Sequence, residues 1–156
     1  MIKKLTIGNL RLTFSMARIQ KVVGVNSRLP DGKHILMWDF DDTKLLNVVA
    51  YLSAIQQRYR LPTIYVLRSS PPDNYIAYCF KRVEWIDAVR VVANTQGVDY
   101  NFLKYGVYRG RFTLRVSAKK GYTPRFATCL PSTVKPDCFV NDLQSWVRYE
   151  TLMGGI

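Results

Sequence analysis

The stretch His34-Ile-Leu-Met-Trp-Asp-Phe-Asp-Asp42 decides the fold. Its apolar run, residues 35–38, is followed by three carboxylates within four positions, and an amphipathic pattern begins directly after them. An apolar run that leads into a helical pattern predicts a buried strand over 34–39 followed by a helix. Because side chains alternate along a strand, Asp39 and Asp41 should emerge on one face and Phe40 on the other.

The two aspartates that share a face are a candidate metal site. Two carboxylates a few ångströms apart repel each other unless a cation lies between them, and hard divalent ions take such oxygen ligands. We therefore predict that Asp39 and Asp41 bind Mg²⁺ or Mn²⁺. One alternative stays open, since Asp41 or Asp42 could cap the following helix, and Asp42 is expected to be such a cap.

The pattern that follows this stretch predicts a β-α-β-β-α-β order. Apolar residues at helical spacing cover 43–60 and 83–94, whereas β-branched and aromatic runs predict strands at 63–67, 75–80 and 112–116. This is the order of a ferredoxin-like or RRM-like α+β core, an antiparallel sheet with two helices on one face. The other face would be open to a ligand.

Both ends of the chain are predicted to extend this core. Residues 3–25 favour a strand or hairpin, 121–138 a loop with one edge strand, and 139–152 a short terminal helix. A length of 156 residues with 48% apolar content suits one hydrophobic core. We expect a single domain, 1–156, with its core at about 34–126.

The composition argues against several classes of protein. No apolar run approaches the roughly 20 residues of a membrane span, and the N-terminus lacks the apolar centre of a signal peptide, so we expect a cytoplasmic protein without a membrane partner. Cys79, Cys129 and Cys138 are widely spaced, which argues against disulfides and structural zinc and favours buried thiols. The only histidine, His34, is expected to begin the first strand; a nicking enzyme with paired metal-binding histidines is excluded.

The charge points to a polyanionic partner. The formal net charge is +12, and no acidic residue lies between Asp99 and Asp137. That segment alternates cations with tyrosines, which suits single-stranded nucleic acid because cations neutralise phosphates and rings stack on bases. A solvated basic sheet edge is the alternative. The candidate binding residues here are Arg109, Arg111, Arg115 and Lys119.

Three segments, taken in order, resemble the archaeo-eukaryotic primase superfamily, particularly the small primase-polymerase domains of plasmid and viral replication proteins. Asp39-Phe-Asp41 is similar to the family's Asp-x-Asp metal motif. Leu67-Arg-Ser-Ser-Pro-Pro-Asp-Asn-Tyr-Ile-Ala-Tyr78 resembles its Ser-containing turn and following strand, and Phe112-Thr-Leu-Arg-Val-Ser-Ala-Lys119 resembles a late basic strand.

This resemblance implies a metal-dependent nucleotidyltransferase. Such an enzyme would add nucleotides from triphosphates on a single-stranded DNA template during plasmid or viral replication, with replication proteins as further partners. Asp39 and Asp41 would hold Mg²⁺ or Mn²⁺, which activates the primer 3′-hydroxyl and stabilises the leaving pyrophosphate.

The second and third segments add candidate binding residues. Ser70, Asn74 and Tyr75 would face the groove, although a Pro-Pro-Asp-Asn stretch also suits a simple hairpin turn. Arg115 and Lys119 would contact triphosphate or backbone oxygens, as a planar fork and a mobile point charge do.

Two departures from the family keep an alternative open. Ile76 stands where the family usually has a histidine or a polar equivalent, and the late strand contains no third acid. The alternative is a catalytically inactive, primase-derived nucleic-acid-binding or replication-initiator module. A metal-dependent nuclease is a further possibility.

Overall fold

The computed structural model describes the backbone of residues 2–15, 19–143 and 146–152. These residues form a mixed α+β structure, as predicted. The helices are α1 (Leu45–Tyr59), α2 (Trp85–Ala93) and α3 (Tyr100–Arg109), with a short 3-10 turn at Val140–Asp142. The strands are β1 (Ile2–Ile7), β2 (Leu10–Ser15), β3 (Ile19–Asn26), β4 (His34–Phe40), β5 (Ile64–Ser70), β6 (Asn74–Val83), β7 (Thr113–Arg115), β8 (Arg125–Leu130) and β9 (Trp146–Leu152).

The described strands pair antiparallel in three sheets. β1 and β2 form a hairpin, β3 lies between β7 and β9, and the largest sheet has the order β4-β6-β5-β8. The hairpin of β5 and β6, the N-terminal strands and the edge strand within 121–138 are therefore confirmed. The RRM-like arrangement is not confirmed, because β7 pairs with β3 in a different sheet from β4.

Strand β4 and helix α1 form where the apolar pattern predicts them. Val48, Leu52 and Ile55 are buried and follow each other at spacings of four and three residues along α1, which gives the helix one apolar stripe. The helix ends at Arg60, which takes a left-handed φ of 50° two residues before Pro62. His34 begins β4, as expected, and its Nδ1 lies 2.9 Å from a serine hydroxyl.

The helix predicted for 139–152 is wrong. Trp146–Leu152 instead forms β9, which pairs with β3 from Ile19↔Leu152 to Val25↔Trp146. Its residues carry β-branched and aromatic side chains, and the strand forms because a partner more than a hundred residues away supplies the ladder. The remainder of the segment contains the short 3-10 turn.

Helix α3 lies in a segment to which the sequence analysis assigned no helix. The side chain of Asp99 caps it by accepting a hydrogen bond from the Phe102 N–H at 2.6 Å, and Gly110 ends it with a φ of 68°. Both are ordinary start and stop signals. Gly106 lets the helix approach the Phe112 ring, since a Cβ there would lie 2.3 Å from a ring carbon.

Two further expectations from the composition concern the cysteines and membrane-spanning helices. All three cysteines are free; Cys79 and Cys138 are buried as predicted, whereas Cys129 is exposed on the edge strand β8. No helix among the described residues combines the length and apolar character needed to cross a membrane.

Candidate active site

The end of β4 places the two aspartates as the alternation predicts. Asp39 is half-buried and lies opposite Ile76 of β6, and Asp41 follows the strand, while Phe40 between them is fully buried. Asp39 and Asp41 line one cavity of about 540 Å³, called here the carboxylate cavity. Its other walls come from the end of β5, from β7 and from the following turn: Ser69, Ser70, Pro71, Ile76, Thr113, Leu114, Arg115, Lys119, Lys120 and Tyr122.

Like charges and burial oppose ionisation of both aspartates. Burial, followed by the carboxylates of Asp41 and Asp99, raises the pKa of Asp39 to about 7, against the opposing effect of Arg115. Burial, followed by Asp99 and Asp42, also raises the pKa of Asp41, and Lys119 opposes this rise. Among the described residues, neither carboxylate forms a salt bridge. The site therefore gathers negative charge that a bound cation would stabilise.

Asp99 is the acid that the sequence analysis did not place at the site. Its N–H donates to the carbonyl of Asp39 at 2.8 Å, which joins the start of α3 to the end of β4. The sequence signal that could have placed Asp99 is that of a helix cap. It can be used only after residues 100–109 have been identified as a helix. Asp99 thus brings a third carboxylate close enough to influence the other two.

The donor chemistry at the end of β4 fits a hard divalent ion. Within the described part of the chain, no three His, Cys, Asp or Glu side chains converge closely enough to hold one metal ion together. Mg²⁺, however, commonly takes only one or two protein carboxylates and completes its shell with water and substrate phosphates. Asp39 and Asp41 are the residues that would hold it.

Arg115 forms hydrogen bonds to the backbone around the carboxylate cavity. Its guanidinium donates to the carbonyls of Ser117 at 3.1 Å and Tyr122 at 3.0 Å, and also to the carbonyl of Ser69. These bonds fix the segment after β7 against the end of β5. Because three hydrogen bonds go to the backbone, Arg115 has fewer donors left for phosphate than the sequence analysis expected.

Lys119 lies at the base of a tight turn beside the carboxylates. Its N–H and the N–H of Tyr122 donate to each other's carbonyls at 3.0 Å. Lys120 and Gly121, at the tip, have φ values of 51° and 77°, as in the two-residue turns that close hairpins. The turn directs two lysines to the carboxylate cavity.

The three residues of the β5–β6 turn that were expected to face the groove lie in different environments. Ser70 lines the cavity. The Asn74 amide donates to the Ser70 hydroxyl and accepts from the Asp42 N–H, both at 3.1 Å, so it stabilises the turn and the end of β4. Tyr75 is fully buried and accepts a hydrogen bond from Arg68 at 2.8 Å, so the expectation that it faces the groove is not met.

The structure also shows that helix α1 has no aspartate cap. Helix α1 begins after Lys44, which makes no side-chain cap bond, and Asp42 is exposed with a left-handed φ of 49°. Neither Asp41 nor Asp42 caps α1, so the expectation that Asp42 is a cap is wrong.

Arg109 and Arg111 line a second, smaller cavity of about 180 Å³ that Asp39 also lines. Asp99 and Tyr105 also line this arginine cavity, and the Arg109 guanidinium lies 5.7 Å from the centre of the Tyr105 ring. The two cavities share Asp39 and Thr113. Apart from Asn74 and Tyr75, the predicted site residues therefore surround the two cavities that meet at Asp39.

Comparison of the chain with protein-family profiles, with curated proteins and with solved structures finds no match. The functional conclusion therefore depends on the geometry and chemistry of this site.

Proposed function

We propose that the protein is a metal-dependent nucleotidyltransferase of the primase-polymerase type, acting on single-stranded DNA during replication of a plasmid or virus. The observation that carries the proposal is the carboxylate cavity, where Asp39 and Asp41 adjoin Lys119 and Ser70. Its volume of about 540 Å³ falls within the range of small-molecule sites, roughly 300–1,000 Å³.

Each group of the cavity has a place in this chemistry. When bound by Asp39 and Asp41, Mg²⁺ or Mn²⁺ supplies Lewis acidity to an attacking 3′-hydroxyl and a leaving pyrophosphate. Lys119 and the neighbouring Lys120 provide positive charge for triphosphate oxygens. Arg115 orders the turn that presents these lysines.

The proposal includes an RRM-like core for the β4–β7 unit. Supporting it, β6 lies between β4 and β5, the relative positions of the first three strands in the ferredoxin-like arrangement. The buried stripes of α1 and α2 belong to one core with this sheet. β7 would be the fourth strand, turned away from β4 to join β3.

The decisive test is nucleotide incorporation on a single-stranded template with Mn²⁺. Asp39→Asn and Asp41→Asn should each lower incorporation at least about 100-fold, since loss of even an outer-shell partner of a metal costs about 10- to 100-fold. Binding of a labelled oligonucleotide should stay equal or become tighter, because repulsion of phosphates decreases. Glu84→Gln, at an exposed acid paired with Lys33, is the control and should behave as wild type.

An inactive nucleic-acid-binding module is the second candidate. Two observations favour it: Ile76 presents no polar group to the cavity, and Arg115 directs donors to backbone carbonyls. This candidate predicts oligonucleotide binding without incorporation and without dependence on divalent metal. Incorporation that survives in the Asp39→Asn, Asp41→Asn double variant would reject the proposed mechanism, and metal-dependent cleavage of the strand without nucleotides would assign a nuclease instead.

A further inference from the structure

The arginine cavity adjoins the carboxylate cavity but is much smaller. The two cavities share Asp39 and Thr113 as lining residues. The carboxylate cavity has a volume of about 540 Å³, whereas the arginine cavity, at about 180 Å³, lies below the roughly 300–1,000 Å³ of sites that enclose a whole small molecule. The arginine cavity can therefore enclose only part of a ligand that continues outside it.

The end of helix α3 fixes the backbone that carries the two arginines. Arg109 is the last residue of α3, and Arg111 follows Gly110, which ends the helix with a left-handed φ of 68°. Phe102 of the same helix lines the cavity and stacks on the ring of the fully buried Phe112, with the ring centres 5.0 Å apart. The cavity is therefore anchored to the core through these two rings.

Opposite charges line this cavity without pairing with each other. Asp39 and Asp99 line it together with the two arginines, yet among the residues that the structure describes neither Arg109 nor Arg111 forms a salt bridge. A guanidinium presents a planar fork of donors that matches two oxygens of a phosphate. Because the two carboxylates repel an anion, a phosphate would lie next to the arginines, and an uncharged part of the ligand would lie beside the acids.

An exposed ring beside the arginines suits a strand that continues outside the cavity. Tyr105 lines the cavity and is 49% exposed. The Arg109 guanidinium lies 5.7 Å from the centre of this ring, and the Lys104 Nζ lies 5.8 Å from it. Rings interleaved with cations are what single strands bind, with bases stacked on the rings and phosphates near the cations. A nucleotide with its phosphate in the cavity and its base outside accounts for both the small volume and the exposed ring.

We infer that the arginine cavity binds the last internucleotide phosphate of a strand whose 3′-hydroxyl lies at Asp39. The inference rests on the proposed function and deepens it, because it assigns the triphosphate to the lysines of the carboxylate cavity and the strand end to Arg109 and Arg111. The uncharged sugar of the last nucleotide would lie beside Asp39 and Thr113. Its 3′-oxygen then forms a bond to the α-phosphorus of the nucleotide, the bond from that phosphorus to pyrophosphate breaks, and the hydroxyl proton is lost to solvent.

The test is the affinity of the full chain for a short oligothymidylate labelled at its 5′ end, measured by fluorescence anisotropy. An uncharged methylphosphonate in place of the last linkage should weaken binding to wild type about 10- to 150-fold, the effect of losing hydrogen bonds to a charged group. The same replacement at the first linkage should have little effect. The Arg109→Gln, Arg111→Gln variant should bind the unmodified strand as weakly as wild type binds the modified one, and should not distinguish the two strands.

Arg58→Gln with Arg60→Gln is the matched control. Like Arg109 and Arg111, these arginines lie two positions apart at the end of a helix, and the control variant loses the same charge. Neither Arg58 nor Arg60 lines the carboxylate cavity or the arginine cavity. The control variant should bind both strands as wild type does.

A second measurement distinguishes the strand from the nucleotide as the source of the phosphate. Thymidine triphosphate with Mn²⁺ should bind the Arg109→Gln, Arg111→Gln variant with wild-type affinity in isothermal titration calorimetry, because its phosphates lie at the lysines. If this variant loses affinity for the nucleotide and keeps it for the strand, the arginine cavity takes a triphosphate and the inference is overturned.

The remaining outcomes separate the inference from the proposed function. If wild type incorporates nucleotides while the Arg109→Gln, Arg111→Gln variant keeps full affinity for the strand, the phosphate site is wrong and the proposed function stands. If wild type binds the strand without incorporating nucleotides, the proposed function fails, and the methylphosphonate comparison still decides the phosphate site. Equal effects of the modification at the first and last linkages would overturn the inference. If wild type binds no strand, both fail.

Discussion

Adjacent residues of β4 show how differently its two faces are built. Trp38 is fully buried on the helix face, and its indole N–H donates to the Thr95 hydroxyl at 2.9 Å. Asp39 points the other way, where burial and the carboxylates of Asp41 and Asp99 raise its pKa to about 7. The indole N–H of Trp38 is satisfied within the fold, whereas burial and two neighbouring carboxylates disfavour the charge of Asp39 more than Arg115 favours it.

That difference separates stability from function. A buried N–H with a partner stabilises the fold or leaves it unchanged, so Trp38 and Thr95 have a sufficient structural explanation. A half-buried carboxylate beside two others destabilises the ionised chain, and such arrangements concentrate at functional sites. The following predictions test whether the two faces of β4 differ in this way.

The largest expected effect is on the helix face. Trp38→Ala should lower the free energy of unfolding by about 3–5 kcal/mol, because it removes a fully buried ring and leaves a cavity. Urea denaturation measures this change. Trp38→Phe is the control for the lost hydrogen bond, and it should cost less because Thr95 also donates to the Val91 carbonyl at 2.9 Å. A loss below about 1 kcal/mol for Trp38→Ala would contradict the assignment of this face to the core.

Asp39→Asn should instead raise the free energy of unfolding. The pKa of Asp39 rises from 3.8 to about 7 on folding, so the folded chain holds more protons than the unfolded chain between these values. Wild-type stability therefore falls as pH rises through this window. Asp39→Asn should stabilise the metal-free chain by up to about 4 kcal/mol above pH 7, with little effect near pH 4.

Thermal denaturation at several pH values measures this difference in stability between Asp39→Asn and wild type. The same measurement with added metal tests whether Asp39 binds a cation. Mn²⁺ should stabilise wild type above pH 7, where Asp39 is ionised, by mass action on the folded state. It should not stabilise Asp39→Asn to the same degree. Equal stability of wild type and Asp39→Asn at all pH values would mean that the folded chain does not disfavour the ionised Asp39 carboxylate. Asp39 would then not differ from Trp38 in the way proposed.

The sequence was sufficient where local pattern decides the outcome. The apolar run before Asp39 and the stripe of Val48 and Leu52 identify β4 and α1, and alternation alone predicts that Asp39 and Asp41 share a face. These features depend only on neighbouring residues. They also contain the part of the site that bears the proposed chemistry.

Other features depend on partners that no local pattern reveals. Trp146–Leu152 becomes a strand because β3 lies beside it, and β7 leaves the expected sheet for the same partner. Asp99 reaches the site through the cap of α3 and its own N–H bond to the Asp39 carbonyl, and Arg115 donates to the carbonyls of nearby Tyr122 and of distant Ser69. The tyrosines of 100–109 were interpreted as a stacking segment, although Asp99 and Gly110 supplied helix signals at both ends.

The smallest expected effect compares two arginines that differ mainly in the face on which they lie. Arg109 ends α3 with its guanidinium 5.7 Å from a tyrosine ring and lines the arginine cavity; Arg58 lies in the last turn of α1, 5.5 Å from the Tyr59 ring, and does not line that cavity. If the strand follows the face of Asp39, Arg109→Gln should reduce the salt slope of oligonucleotide binding by about 0.7, the value for one phosphate of a single strand. Arg58→Gln removes the same charge from the same type of contact and should leave the slope unchanged. Equal reductions would mean that the net charge of +12 attracts the strand without a preferred face, because a delocalised attraction depends on the number of cations and not on their position.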